Sequence, residues 1–162
     1  ETNNAPVGTY YTDTAGTAGA WRWLKTVTGS GSRNWTVVYG DTGWRDVTPS
    51  THLLGATGYV RARRIGVQVE LSIRIGADKS FSGTNTGIKI PSGFIKNANM
   101  LVSSPARMAA NTLWDLGASA YFSTALATGD LYFSGKITSD SVFTFNYSTA
   151  NPWPTTLPGT PA

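Results

Sequence analysis

Cysteine is absent from this 162-residue chain, and histidine occurs once. The first absence excludes disulfides, thiol nucleophiles and cysteine-ligated metals together. The second excludes a multi-histidine metal centre. His52 lies in a Thr-Pro-Ser-Thr-His turn without acidic neighbours in sequence and reads as a loop residue. No cofactor is expected. Charge is scarce as well, at 14% of residues, with 13 Lys and Arg against 9 Asp and Glu. A nucleic-acid reader carries a longer basic stripe with interleaved aromatics. No apolar run approaches the roughly 20 residues that cross a bilayer. The chain does not open on the basic-then-apolar stretch of a signal peptide. Glu1 in place of methionine implies a piece of a longer polypeptide.

What is present is glycine and aromatics: 18 Gly, 6 Trp, 7 Tyr and 6 Phe. With abundant Thr and Ser, that is a β-protein profile. Residues 1–19 show no periodicity and read as a linker. Alternation then predicts strands. Trp21, Trp23 and Lys25 fall on one side of the first, and Trp35, Val37 and Tyr39 on one side of the second, across a Gly29-Ser30-Gly31-Ser32 turn. A third short strand starts at Trp44. The pair Tyr59–Ile65 and Val67–Ile75 flanks Gly66, which suits a tight primed hairpin turn. Val67, Val69, Leu71, Ile73 and Ile75 all point to a core. Residues 76–87 read as a loop around Phe81, followed by a short strand at Ile88–Ile90 and a return of Phe94 and Ile95 to the core. Further strands are expected at 99–104, 106–115, 117–123, 129–135 and 140–148, the last with Phe143, Phe145 and Tyr147 on one face. No stretch has helical periodicity.

The last twelve residues, Asn151–Ala162, hold four prolines and one tryptophan, Trp153. Proline removes donors and fixes φ, so the segment is expected to run as an extended strap pinned to the body by Trp153. Arg61, Arg63 and Arg64 concentrate the positive charge. Arg61 and Arg63 share a strand face and read as solvated or paired rim residues, with contact to an anionic cell-wall polymer as the sharper alternative.

Several phrases resemble a known family. Gly40-Asp41-Thr42-Gly43-Trp44-Arg45-Asp46-Val47 is similar to a phrase recurrent in tail proteins of phages that infect actinobacteria and other Gram-positive hosts. Val60-Arg61-Ala62-Arg63-Arg64-Ile65-Gly66, Ile90-Pro91-Ser92-Gly93-Phe94, Tyr10-Tyr11-Thr12-Asp13 and the closing Asn-Pro-Trp-Pro-Thr-Thr-Leu-Pro-Gly strap resemble the C-terminal receptor-binding head of such minor tail proteins or tail fibres. The resemblance implies an all-β, homotrimeric head at a virion tail tip, assembled in the host cytoplasm and acting outside the cell. Its implied partners are copies of itself, upstream tail or baseplate proteins and a host cell-wall or surface polysaccharide, with no nucleic acid and no membrane insertion.

The expected architecture is an antiparallel β-sandwich or barrel of short strands at 51–162, preceded at 1–50 by a linker and an aromatic-rich hairpin collar. Trp21, Trp23, Trp35 and Trp44 exceed what so few strands can bury, so they are expected at a trimer interface; folding back onto their own head is the alternative. Catalysis finds little support. A glycosidase needs two carboxylates roughly 5–10 Å apart, and the available pairs, Asp41 with Asp46 or Asp115 with Asp130, read as turn caps. His52 lies in no nucleophile-elbow context. Sugar sites combine an aromatic platform with short polar partners. Arg107, Asn111, Trp114, Asp115, Tyr121 and Tyr132 form such a set, although Trp114 and Tyr132 fit core positions equally well. Two other readings stay open: a carbohydrate-binding module of a secreted wall hydrolase, and a structural virion protein without ligand.

Overall fold

The computed structural model describes residues 5–29, 34–50, 54–95, 103–108, 114–122 and 130–162, by backbone alone at 81–87, 103–108, 114–122 and 130–135. Strands make up 47% of the chain, and no α-helix occurs among the described residues. The strands are β1 Tyr10–Thr12, β2 Ala20–Lys25, β3 Trp35–Gly40, β4 Arg45–Asp46, β5 Tyr59–Ile65, β6 Gln68–Ile75, β7 Lys79–Lys89, β8 Ser103–Met108, β9 Trp114–Phe122, β10 Asp130–Ile137, β11 Ser141–Ser148 and β12 Thr160–Pro161. All described pairings are antiparallel. One sheet runs β1-β2-β3 and a second β12-β4-β5-β6-β11-β8-β9-β10-β7.

The second sheet is folded over on itself. Five strand spacings separate β6 from β7 along that order, about 24 Å if the sheet were flat. Only residues 76–78 connect the two strands, a reach of about 14 Å. The sheet closes the gap at a seam: β11 and β8 share two ladder pairs, Ser141 with Met108 and Val142 with Arg107. Next to it the β8–β9 ladder carries an irregularity between Pro105 and Ala106, where proline's missing donor is tolerated. The result is sandwich-like, with β12-β4-β5-β6-β11 on one side of the seam and β8-β9-β10-β7 on the other.

Its core follows from register. Residues directly opposite share a face, so three inward rows cross β5, β6 and β11: Val60–Ile73–Phe143, Ala62–Leu71–Phe145 and Arg64–Val69–Tyr147. All nine side chains are buried. Ile88, Ile90 and Ile137, from the far end of the strand order, complete the cluster with Leu54, Ile75 and Phe94. The Tyr147 hydroxyl donates to the Phe94 carbonyl at 2.8 Å, and burial pushes its pKa up. Val67 leaves the expected inward set because it is the second residue of the two-residue hairpin loop. Gly66 is the first, with φ +56°, and Val67 is 55% exposed.

Three expectations need correction. The span 76–87 is not a loop: from Lys79 onward it is β7, whose Gly, Ser and Thr residues lack apolar alternation because it is an edge strand paired with β10 alone, across register shifts. Residues 1–19 are not all linker, since β1 and a 3₁₀ turn at Thr17–Gly19 lie within them. The span 106–115 is not one strand, as β8 ends at Met108 and β9 begins at Trp114. His52 and residues 30–32, 99–102 and 129 lie outside the described residues.

The proline-rich strap is pinned as expected. Trp153 is 7% exposed and packs with Ala20, Val37 and Trp23 of the first sheet. Its indole N–H donates to the Ala18 carbonyl at 2.9 Å. A polyproline-like run cannot bond its own carbonyls, and two arginines do so instead. Arg64 donates to the Asn151 and Pro152 carbonyls, both at 3.0 Å, and also to Gly66 and Gly93. Arg45 donates to Pro158 at 3.0 Å and Gly159 at 2.8 Å. The strap ends as β12, an edge strand beside β4, where proline is tolerated.

Candidate functional site

The first sheet presents two chemically different faces because β2 and β3 carry compensating irregularities. The register runs Lys25 with Trp35, Leu24 with Thr36 and Trp23 with Val37, then skips Val38 to pair Arg22 with Tyr39, then skips Trp21 to pair Ala20 with Gly40. One face therefore holds Trp23, Lys25, Trp35, Val37, Ala20 and, from β1, Tyr11 opposite Trp23. Trp153 covers its Ala20–Val37 end. Tyr11 and Trp35 meet edge to face at 6.3 Å. The buried Lys25 ammonium lies 5.1 Å from the Trp35 ring centre and donates to the Gly29 carbonyl.

The opposite face has two rows across the sheet: Thr12–Arg22–Tyr39 and Tyr10–Leu24–Thr36. Tyr39 is 65% and Tyr10 55% exposed. Thr12, Arg22 and Thr36 are exposed and Leu24 is half-buried. The Arg22 guanidinium stacks 4.2 Å from the centre of the Tyr10 ring. Among the described residues the face carries no carboxylate.

The four tryptophans of the expected collar do not share one surface. Trp23 and Trp35 lie on the first face and are half-buried. Trp21 drops out of the ladder and is 45% exposed. Its ring lies beside Gly16, where an added Cβ would meet it at 3.2 Å. Trp44, in the turn before β4, is 37% exposed. Simple alternation placed Trp21 with Trp23; a bulge cannot be read from alternation.

Of the expected sugar-binding set, Asn111 lies outside the described residues. The backbone brings the others together in pairs. Arg107 stands opposite Trp114, with Ala106 opposite Asp115, and Tyr121 stands opposite both Ser103 and Tyr132. Trp114 and Tyr121 sit at opposite ends of β9, so the register forms two pairs near the two ends of that strand.

Four of the described aspartates serve turns and ion pairs. Asp13 accepts from the Ala15 and Thr17 amides, Asp46 from the Thr48 amide and hydroxyl, and Asp140 from Ala77, Thr57 and Arg74. Asp41 accepts from the Gly43 amide and, through both carboxylate oxygens, from Nε and Nη2 of Arg63. These bonds hold all four carboxyls below the usual range. Arg63 also reaches Glu70 at 3.9 Å, and Arg61 stacks on Tyr59 at 4.4 Å. Paired rim residues is therefore the reading that fits Arg63. Among the described residues no three His, Asp or Glu gather as a metal site, and no helix is long and apolar enough to cross a membrane.

Comparison of the chain with protein-family models, curated proteins and solved structures finds no match. The residues that sequence reasoning missed are Tyr10, Arg22 and Tyr39. Their signal was an arginine flanked by two tryptophans, and it becomes legible only once the two irregularities bring Tyr39 beside Arg22.

Proposed function

We propose that the chain is a non-catalytic receptor-binding head of a phage tail tip, a homotrimer that attaches the virion to a host cell-surface glycan. One observation carries the reading. Of ten exposed large apolar side chains among the described residues, eight lie within the first 44 positions: Val7, Tyr10, Tyr11, Trp21, Val27, Val38, Tyr39 and Trp44. Among the described residues the second sheet has a core cluster of fourteen buried residues, whereas the first has one of three, and one of those is borrowed from the strap. A small sheet with that much exposed aromatic surface meets either a ligand or further copies of itself.

Closed symmetry about an axis offers the indoles of Trp21, Trp35 and Trp44 a partner surface without cysteine or metal. Three copies per tip raise a weak sugar affinity by avidity. The test has two readouts on the full chain. Light scattering should give three times the mass of one chain, and a monomer would favour a carbohydrate-binding module instead. Fluorescently labelled protein should attach to Gram-positive cells and be displaced by isolated wall polysaccharide. A trimer that attaches to no cells would leave only a structural role.

A further inference from the structure

The Tyr10–Arg22–Tyr39 face has the composition of a site for a sugar chain bearing anionic groups. Three features point the same way. First, the Arg22 guanidinium has no carboxylate partner among the described residues, whereas Arg63 and Arg74 each do. It lies over the Tyr10 ring, 4.2 Å from its centre, a contact that uses none of its N–H groups and leaves them for bidentate binding of phosphate or carboxylate. Second, Tyr39 stands next to Arg22 in the same row with 65% of its surface open. A flat ring in that position suits the apolar C–H face of a pyranose, with the phenol hydroxyl able to bond a sugar hydroxyl. Third, Thr12 and Thr36 supply exposed hydroxyls on the flanks, and among the described residues no acid on this face repels an anion. Trp153 of the strap and Trp23 pack on the opposite side of the sheet, so occupation of this face does not compete with them.

We infer that this face binds an anionic saccharide, with Arg22 taking the phosphate or carboxylate and Tyr39 stacking on the adjoining sugar. The inference rests on the cell-surface-binding reading for its setting, but it names a site separate from the β8–β10 residues. A second copy of the chain is the competing occupant. It is disfavoured because a neighbour in a trimer would have to offer Arg22 a carboxylate from a different patch, and Asp13, Asp41, Asp46, Glu70 and Asp140 are already engaged within their own copy.

The experiment measures binding of the full chain to three immobilised probes: glycosylated poly(glycerol phosphate), a uronate polysaccharide and neutral dextran. Phosphate and carboxylate are thereby told apart. The wild-type chain should prefer at least one charged probe over dextran, and that preference should weaken as salt rises. Arg22→Gln should remove the preference, a loss of about tenfold on the charged probe. Thr12→Glu, which sets a carboxylate opposite Arg22, should do the same by occupying the cation. Tyr39→Ala should lower binding to every probe several-fold. All three sites are exposed, and unchanged melting temperatures would confirm that the variants fold. Three results would overturn the inference: equal binding to all probes, an undiminished preference in Arg22→Gln, or variants that change the oligomer mass while leaving the preference intact. If the chain attaches to cells but the Arg22 and Tyr39 variants attach equally well, this site is wrong and the receptor-binding reading survives. If the wild type binds neither cells nor any probe, both fail.

Discussion

Arg64 sits in an inward row, 4% exposed, with Val69 opposite it and, among the described residues, no carboxylate to meet its charge. Burial lowers its pKa to about 10, so it remains cationic at neutral pH. An unpaired buried charge is normally costly. Here four backbone carbonyls surround the guanidinium, and the Trp153 ring lies 4.9 Å from it. The residue therefore solvates the strap, and the strap solvates the residue. Arg64→Met leaves those carbonyls without donors and should lower unfolding free energy by about 3 kcal/mol in urea titration. Arg64→Lys should recover less than half of that loss, since an ammonium cannot span four acceptors held around a planar fork. Gly40 is the partner constraint at this spot. A Cβ there would meet the Trp153 ring at 2.9 Å and the Gly19 carbonyl at 3.0 Å. Gly40→Ala should thus expel the indole, read as a red shift and loss of intensity in tryptophan fluorescence, together with a fall in stability of about 2 kcal/mol.

Between elements, the carboxylates act as ties at the points where the fold turns. Asp41 joins the end of β3 to Arg63 of β5, Asp46 closes the turn after β4, and Asp140 ties the β10–β11 turn to Arg74 of β6 and to the β6–β7 turn. Each has a folded pKa below its ordinary value. The unfolded chain therefore takes up protons first, and the stability these groups contribute is present above about pH 4 and is lost as pH falls through the folded values. Urea midpoints should be flat from pH 7 to 5 and drop between pH 4 and 2. Asp41→Asn should lower the plateau and shallow the drop. The same elements show what was legible in the sequence. The alternation of β6 and β11 placed seven inward positions in view, Val69, Leu71, Ile73, Ile75, Phe143, Phe145 and Tyr147, because a sheet with one buried face has a strict two-residue period. Val60, Ala62 and Arg64 share that period on β5, so the inward arginine was readable in principle; what it bonds to lies 87 and 88 residues away at Asn151 and Pro152. β7 was not legible, since edge pairing through the backbone requires no apolar pattern. Nor was the Arg22–Tyr39 pairing, which depends on two offsets that local alternation does not encode.

Taken as one body, the chain is closed by its own end: the strap seals the cluster of the first sheet with Trp153 and finishes as an edge strand of the second. The two sheets otherwise meet through a few backbone bonds near Gly40, Asp41 and Arg64, together with the Arg63–Asp41 pair. That arrangement makes their stabilities separable. The β5-β6-β11 core depends on contacts within one copy, and its amide-exchange protection should not vary with concentration. The first sheet, if its tryptophans are buried between three copies as proposed, gains stability by mass action and should exchange faster on dilution. Hydrogen exchange at two protein concentrations a hundredfold apart would therefore show protection of β2 and β3 falling while that of β6 and β11 stays fixed. Trp153→Ala should cost about 3 kcal/mol by emptying the cluster, and it should shift the first-sheet curve to higher concentration without abolishing its dependence. Concentration-independent exchange in both sheets would mean that one copy is sufficient. The exposed indoles would then be a surface for ligand alone.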